Sequence, residues 1–488
     1  MTRAAITIAA AVAISACGAS PRVAVAPASS SRPGTTPVQQ LHADLSAIFD
    51  TGQFGRSFWS VLVRSADSAD ELYSVNAAKL MMPGSAMKIV TLAAAGERLG
   101  WDHQFETQIV SSAPVSDGVL RGDLVVVGGG DPTISERSDT PGALQAMARS
   151  VREAGITRIE GRVIGDDDLF DDNGFGDGWT LDNLPYGYAA RVSALEYNEG
   201  SVDLVIRAGA EAGDSVAIQV RPAGSGLQID NRLVTVAESG TGRLTLQRFP
   251  GSPLVVVTGQ IPAKAAPFAR TASVDNPTIF FASAFRDALM AEGVEVKGDA
   301  IDIDDFLTKP DLSAARALAS HRSPPLRQIA VSMMKVSQNQ YAETLLRVIG
   351  GRAKVEEVLR SWNVLPDSYV MADGSGLSRY NYVSSDALVR ILLQMHTDAK
   401  HASTFSEALP VAGRDGTLSK RLAGTVAEGR VRAKTGTIDN ARAIAGYVHT
   451  AGGETLVFSI IANNFTGPVA PIDRAADEAL VRLATFTR

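Results

Sequence analysis

From Ile89 to Ala95 the chain runs Ile-Val-Thr-Leu-Ala-Ala-Ala without a charge. As a helix this segment is apolar on nearly every face, and such a helix is stable only with packed neighbours all round it. It therefore demands a large, layered domain. The Pro83-Gly84 pair ahead of it turns the chain, which predicts a helix starting at about Ser85. The length permits this: 488 residues is two to four structural units at roughly 100–200 residues each.

The rest of the mature chain reads as mixed α/β without repeats. Trp59 to Val63 and Leu72 to Val75 form an expected opening pair of strands. From Leu124 to about Val257 the texture changes. Short apolar runs (Leu124–Val127, Val202–Ile206, Val216–Val220, Leu254–Val257) alternate with Gly/Asp turns and predict a β-rich region. Helical spacing returns after Asn276-Pro277 through Phe280, Phe281, Phe285, Leu289 and Met290. Further helices are expected at 325–335, 340–349 and 384–395, strands at 431–437, 442–449 and 455–462, and a last helix at about 470–485. A helical middle between early and late strands suggests one domain interrupted by an insertion.

The first forty residues read as an address. Arg3 precedes an uncharged, mostly apolar run from Ala4 to Ala16, too short to span a bilayer but suited to a signal peptide. Ile14-Ser15-Ala16-Cys17 resembles a bacterial lipobox, and Cys17 is the only cysteine in the chain. The segment after it is rich in Pro, Ser and Ala; residues 18–40 are expected to be a flexible tether. A single cysteine excludes an internal disulfide and thiolate metal clusters. No HExxH or other close His pair with metal-ligand spacing occurs among the six histidines. With 46 basic against 53 acidic residues the net charge is −7, which gives no electrostatic case for nucleic-acid binding.

Chemistry enters with Ser85 and Lys88. Residues three apart share a helix face, and Lys88 is the only charge between Lys79 and Glu97. A lysine desolvated in such a segment loses basicity, which is what activation of a serine requires. The pattern alone is weak, because Ser-x-x-K arises about once or twice by chance in a chain of this length. A second copy indeed stands at Ser332-Met333-Met334-Lys335. Two further elements add weight. Ser337-Gln338-Asn339 lies between two predicted helices, and Lys434-Thr435-Gly436 ends a predicted strand, followed by Thr437. Glycine there admits a ligand to the strand edge, while lysine and threonine offer a cation and a hydroxyl to a carboxylate. The order Ser-x-x-Lys, Ser-x-Asn, Lys-Thr-Gly is the set used by penicillin-binding proteins and β-lactamases, with Gln338 in place of the usual aspartate.

In these motifs the chain resembles the class C low-molecular-mass penicillin-binding proteins, the D-alanyl-D-alanine carboxypeptidase/endopeptidase family. Other phrases agree: Gly122-Asp123-Leu124 to Thr133, Gly161 to Asp167, Ser193-Ala194-Leu195, Ser323-Pro324-Pro325-Leu326, Tyr341-Ala342-Glu343, Asp373 to Arg379, and Leu409-Pro410 with Gly413 and Asp415 to Leu418. The resemblance implies an α/β (α+β) fold, a penicillin-binding/β-lactamase-like transpeptidase domain with an antiparallel sheet flanked by helices. It implies a domain of residues 41–105 plus 274–488, interrupted by a β-rich insertion of two small domains at 106–273. It implies Ser85 as nucleophile, Lys88 as base, Ser337 as proton relay and Asn339 as holder of Lys88 and a substrate amide. Lys434 would assist the relay, Thr435, Gly436 and Thr437 would receive the substrate carboxylate, and no metal or organic cofactor would be needed. The implied substrates are peptidoglycan stem peptides, with β-lactams as inhibitors, in an envelope location with a lipid anchor at Cys17. A β-lactamase or esterase of the same fold, and a non-catalytic wall-binding lipoprotein, are the alternatives.

Remaining features read more plainly. Asp166-Asp167-Asp168 with Asp171-Asp172 fits no calcium loop and is expected to be a solvated acidic turn. Gly128-Gly129-Gly130 reads as a tight turn. Asp373-Gly374-Ser375-Gly376 is either cleft lining or a structural turn, and Arg379 and Arg414 are expected in surface or ion-pair roles, with substrate contact as the alternative. No G-x-S-x-G elbow occurs, and His449 has no assignable acid, against a Ser-His-Asp hydrolase.

Overall fold

A computed structural model describes residues 34–137 and 141–488. The expected signal peptide, Cys17 and most of the expected tether lie outside them. Within the stretch 18–40 expected to be tether, a helix already begins at Pro37 and runs to Phe49. Thr36 caps it, its hydroxyl accepting from the Gln39 amide while the Gln39 side chain accepts from the Thr36 amide.

The centre is a five-stranded antiparallel sheet. Strands β1 (Phe58–Ser65) and β2 (Glu71–Val75) open it, and β3 (Val431–Ile438), β4 (Ala441–His449) and β5 (Thr455–Asn463) complete it in the order β2-β1-β5-β4-β3. β1 pairs with β5 from Phe58↔Asn463 to Ser65↔Leu456, so the first and last strands meet across some 400 residues of chain. Alternate side chains enter two cores. Leu62, Ala445, Tyr447, Val457 and Ile461 face a helical layer, while Val61, Ile444, Val448, Phe458 and Ile460 face the helices Pro37–Phe49 and Ala470–Thr485. Coverage on both faces explains why β4 and β5 read as almost unbroken apolar runs.

The uncharged segment holds the middle of the helical layer. After one 3₁₀ turn at Gly84–Ala86, helix α1 (Met87–Leu99) is buried at every residue from Met87 to Gly96. Around it pack α2 (Leu326–Lys335), α3 (Asn339–Val348) and the helix Ser385–Thr397. All four match the expected positions within two residues.

Strand pairing ties the stretch expected as an insertion, 106–273, to later segments. Strand 106–111 pairs with 316–322 and 124–127, and 163–166 joins 124–127 to 300–302, forming one five-stranded sheet. Its closing strand therefore ends at Arg322, and two helices, Ala143–Glu153 and Pro277–Ala291, belong to the same stretch. Pairing between segments 200 residues apart leaves no mark in local composition, so a change of texture does not report the extent of this sheet. By compactness, only Thr180–Arg191 with Gly200–Asn276 forms a separate unit, built of two three-stranded sheets.

The acidic run is not simply solvated. Asp166 is buried, and Asp167 Oδ2 accepts from Ser193 Oγ (2.8 Å) and Thr278 Oγ1 (2.6 Å), joining strand 163–166 to the helix that starts at Pro277.

Candidate active site

Three segments far apart in sequence converge at the edge of the central sheet. The Ser85 turn packs against β3 so closely that only glycine fits on either side. A Cβ on Gly84, whose φ is +51°, would lie 2.7 Å from the Thr437 amide nitrogen, and one on Gly436 would collide with the Pro83 carbonyl. β3 is an edge strand, so beyond Ala433 one side of its backbone is left for a ligand.

Lys88 has no exposed surface. Its Nζ lies 3.0 Å from Ser85 Oγ, 2.7 Å from Asn339 Oδ1 and 2.7 Å from the Ser375 carbonyl oxygen. The last two are acceptors only. A neutral amine donates its two N–H bonds to them and has its lone pair left for the Ser85 hydroxyl. Burial brings Lys88 down to about 7, against the opposing pull of Asp373 and Glu343. A large neutral fraction is thus present at physiological pH.

Ser337 stands in the loop between α2 and α3 with φ +64°, a left-handed conformation that a serine adopts only where its surroundings enforce it. Its Oγ accepts from Lys434 Nζ at 2.8 Å, and the same ammonium donates to the Thr435 carbonyl at 2.8 Å. Lys434 is fully buried; desolvation, then repulsion from Lys88, lowers it well below an ordinary lysine. Thr435 Oγ1 donates to Thr417 Oγ1 at 2.8 Å.

All expected residues from Ser85 to Lys434 thus meet in one cleft. The sequence reading left open whether Asp373-Gly374-Ser375-Gly376 lines that cleft; it does, through the Ser375 carbonyl. Asp373 staples the turn, accepting from the Gly376 and Ser378 amides, Asn381 Nδ2 and Trp179 Nε1. Arg379 donates to the Asp439 carbonyl at the surface. The decoy Lys335 pairs with Asp415 at 2.5 Å.

Among the described residues, two acidic groups have ligand atoms close enough for a metal, and neither touches this cleft. In Glu97, Asp398 and His401, the donor-only Trp101 Nε1 faces His401 Nδ1, so the ring proton sits on Nε2 and points at Glu97 (2.8 Å) rather than leaving a lone pair there. In Asp167, Asp302 and Asp304, Lys309 already supplies the cation, 2.5 Å from Asp304.

A serine beside a desolvated lysine, backed by a second serine and a second buried lysine, is the apparatus of acyl transfer. Residues 41–485 match the model of the D-Ala-D-Ala carboxypeptidase 3 (S13) family. The chain belongs to that family. It is a serine peptidase of the D-alanyl-D-alanine carboxypeptidase type. A D-alanyl-D-alanine carboxypeptidase of Actinomadura sp. is 37% identical over 492 residues, covering 96% of this chain and 88% of the relative. The crystal structure of penicillin binding protein 4 from Haemophilus influenzae matches with a TM-score of 0.78 at 25% identity, covering 91% of this chain and 99% of that one. The same Haemophilus protein complexed with a β-lactam matches at 0.73 and 25% identity, with the same coverage. The chain is thus a class C penicillin-binding protein with the expected α/β fold.

Proposed function

We propose that this family member hydrolyses D-alanyl-D-alanine ends of peptidoglycan stem peptides through an acyl-enzyme on Ser85. The observation that carries the reading is the Lys88 amine, whose two N–H bonds have carbonyl acceptors and whose lone pair faces Ser85 Oγ. Ser85 Oγ attacks the carbonyl carbon of the penultimate D-alanine while its proton passes to Lys88. The tetrahedral oxyanion is held by the Ser85 and Thr437 amides, an interaction worth roughly 3–4 kcal/mol per donor in comparable enzymes. The C–N bond breaks, and the departing nitrogen takes a proton relayed through Ser337. Water then releases the acyl group and restores Ser85.

Lys434, Thr435 and Thr437 receive the terminal carboxylate, and Gly436 lets the substrate backbone reach β3. Before substrate arrives, two buried lysines face each other without an ion-paired carboxylate. The incoming carboxylate supplies the missing counter-charge to Lys434, which favours a free C-terminus over an internal peptide. β-Lactams present the same carboxylate and acylate Ser85. Cross-link cleavage is the natural extension where a D-centre with a free carboxylate follows the scissile bond.

The lipobox-like Ile14 to Cys17 supports an extracytoplasmic enzyme anchored by lipid at Cys17. No helix of the described residues is long and apolar enough to cross a membrane. Membrane fractionation of wild type and Cys17→Ser checks this, with release of the variant expected.

The test of the activity is release of D-alanine from an acyl-D-Ala-D-Ala peptide, with intact mass after penicillin treatment, for wild type and Ser85→Ala. Release and a stable one-to-one adduct in wild type alone are expected. An adduct that vanishes within seconds would mark a β-lactamase, and a folded but inert wild type would overturn the enzyme reading.

A further inference from the structure

The mechanism depends on the Ser375 carbonyl staying on Lys88, because that contact takes one of the two N–H bonds and so aims the lone pair. Something must hold this carbonyl in turn. The Ser375 amide donates to Glu343 Oε1 at 2.7 Å and the Gly374 amide to Glu343 Oε2 at 3.0 Å. One carboxylate therefore grips two successive amides of the turn, each with its own oxygen. Thr91 Oγ1, one turn beyond Lys88 on α1, donates to the Gly374 carbonyl at 2.6 Å.

Glu343 stands four residues after Asn339 on α3, so both side chains lie on one face of one helix. That face sets both acceptors of Lys88, directly through Asn339 Oδ1 and indirectly through the clamped turn. Glu343 is buried and forms no ion pair, an expensive placement for a side chain that only packs. The charged groups facing it are Asp373 on the turn and Lys88 on α1; Lys88 in turn faces Asp373, Glu343 and, from β3, Lys434.

We propose that Glu343 is a positioning residue for acylation: its carboxylate holds the Ser375 carbonyl on the Lys88 amine, and so the amine's lone pair on Ser85 Oγ. The inference rests on the reading of Lys88 as base. In Glu343→Gln the amide offers one acceptor oxygen where two are needed, and its NH₂ opposes the second backbone N–H. The turn loosens and the lone pair is no longer aimed. Burial and then Asp373 push Glu343 up to about 7, so its protonation weakens the same clamp as pH falls.

The experiment measures penicillin acylation of the full chain, resolved into binding constant and acylation rate, between pH 5 and 9. Variants are Glu343→Gln, Glu343→Asp and Thr91→Val, with Ser85→Ala and Lys88→Ala as controls and melting temperature recorded for each. Glu343→Gln is expected to slow acylation by about 10²-fold with less than about threefold change in binding. Its acid limb moves below that of wild type, because loss of a negative charge beside Lys88 lowers the lysine further. Glu343→Asp keeps the charge and the limb but loses rate. Thr91→Val, which touches the same turn without changing charge, loses about tenfold with the limb in place, and serves if Glu343→Gln does not fold. Wild-type rates in Glu343→Gln overturn the proposal. So does a loss that tracks only the drop in melting temperature with the acid limb unmoved. Acylation surviving in Ser85→Ala or Lys88→Ala would instead refute the base reading beneath it.

Discussion

The chain carries Ser-x-x-Lys twice, at Ser85–Lys88 and at Ser332–Lys335, each at a helix with the same three-residue spacing. Their lysines have opposite surroundings. Lys88 is fully buried and touches a hydroxyl and two neutral carbonyl-type oxygens, while Lys335 is 17% exposed and paired with Asp415. An ion pair holds an ammonium in its charged form; a dry pocket of neutral acceptors releases the proton. The spacing brings serine and lysine onto one face, and the environment decides whether that lysine is a base.

The sharpest break of this comparison is exchange of the two lysines. Lys88→Ala is expected to cut penicillin acylation by about 10³-fold or more, within the range of a lost general base. Lys335→Met should acylate within about twofold of wild type, because the Lys335–Asp415 pair makes no hydrogen bond to Ser85, Lys88, Ser337 or Lys434. Rapid-mixing intact mass spectrometry measures both.

Ser337 gives the next effect. Both Ser337→Ala and Ser337→Gly lose the hydroxyl on Lys434, and both should slow acylation by about 10–10²-fold. They part in stability. Alanine at φ +64° keeps the left-handed strain that glycine relieves, so the glycine variant should melt higher, by about 1 kcal/mol in stability. Equal melting temperatures would mean the loop relaxes. The smallest effect belongs to the decoy: loss of the partly exposed Lys335–Asp415 pair should cost no more than about 1 kcal/mol in urea unfolding.

Much of this was legible in the sequence for a physical reason. Strands covered on both faces and a helix buried all round leave long apolar runs, and the roles proposed for Ser85, Lys88, Ser337, Asn339 and Lys434 rest on side chains whose types announce the chemistry. Ser375 acts through its backbone carbonyl, which every residue possesses, so no residue type marks it. Glu343 acts through that carbonyl at one remove; the phrase Tyr341-Ala342-Glu343 marks the segment, but neither it nor the i+4 spacing from Asn339 says which backbone amides the carboxylate holds. Strand 316–322 returns to 106–111, a pairing set by tertiary structure rather than by local pattern. Asp166 and Asp167 look like surface residues in a run of acids, and only the positions of Ser193 and Thr278 reveal the joint.

The central claim is that Lys88 works as a neutral base because it is buried among neutral acceptors. The direct measurement is the acylation rate of wild type by a β-lactam from pH 5 to 10, with Ser85→Ala as blank. The base must be unprotonated, so the rate should rise with pH and reach half its plateau near 7, where Lys88 and the coupled clamp at Glu343 both titrate. A rate still climbing towards pH 10 would show Lys88 as an ordinary charged lysine and contradict the account, as would a rate flat down to pH 5.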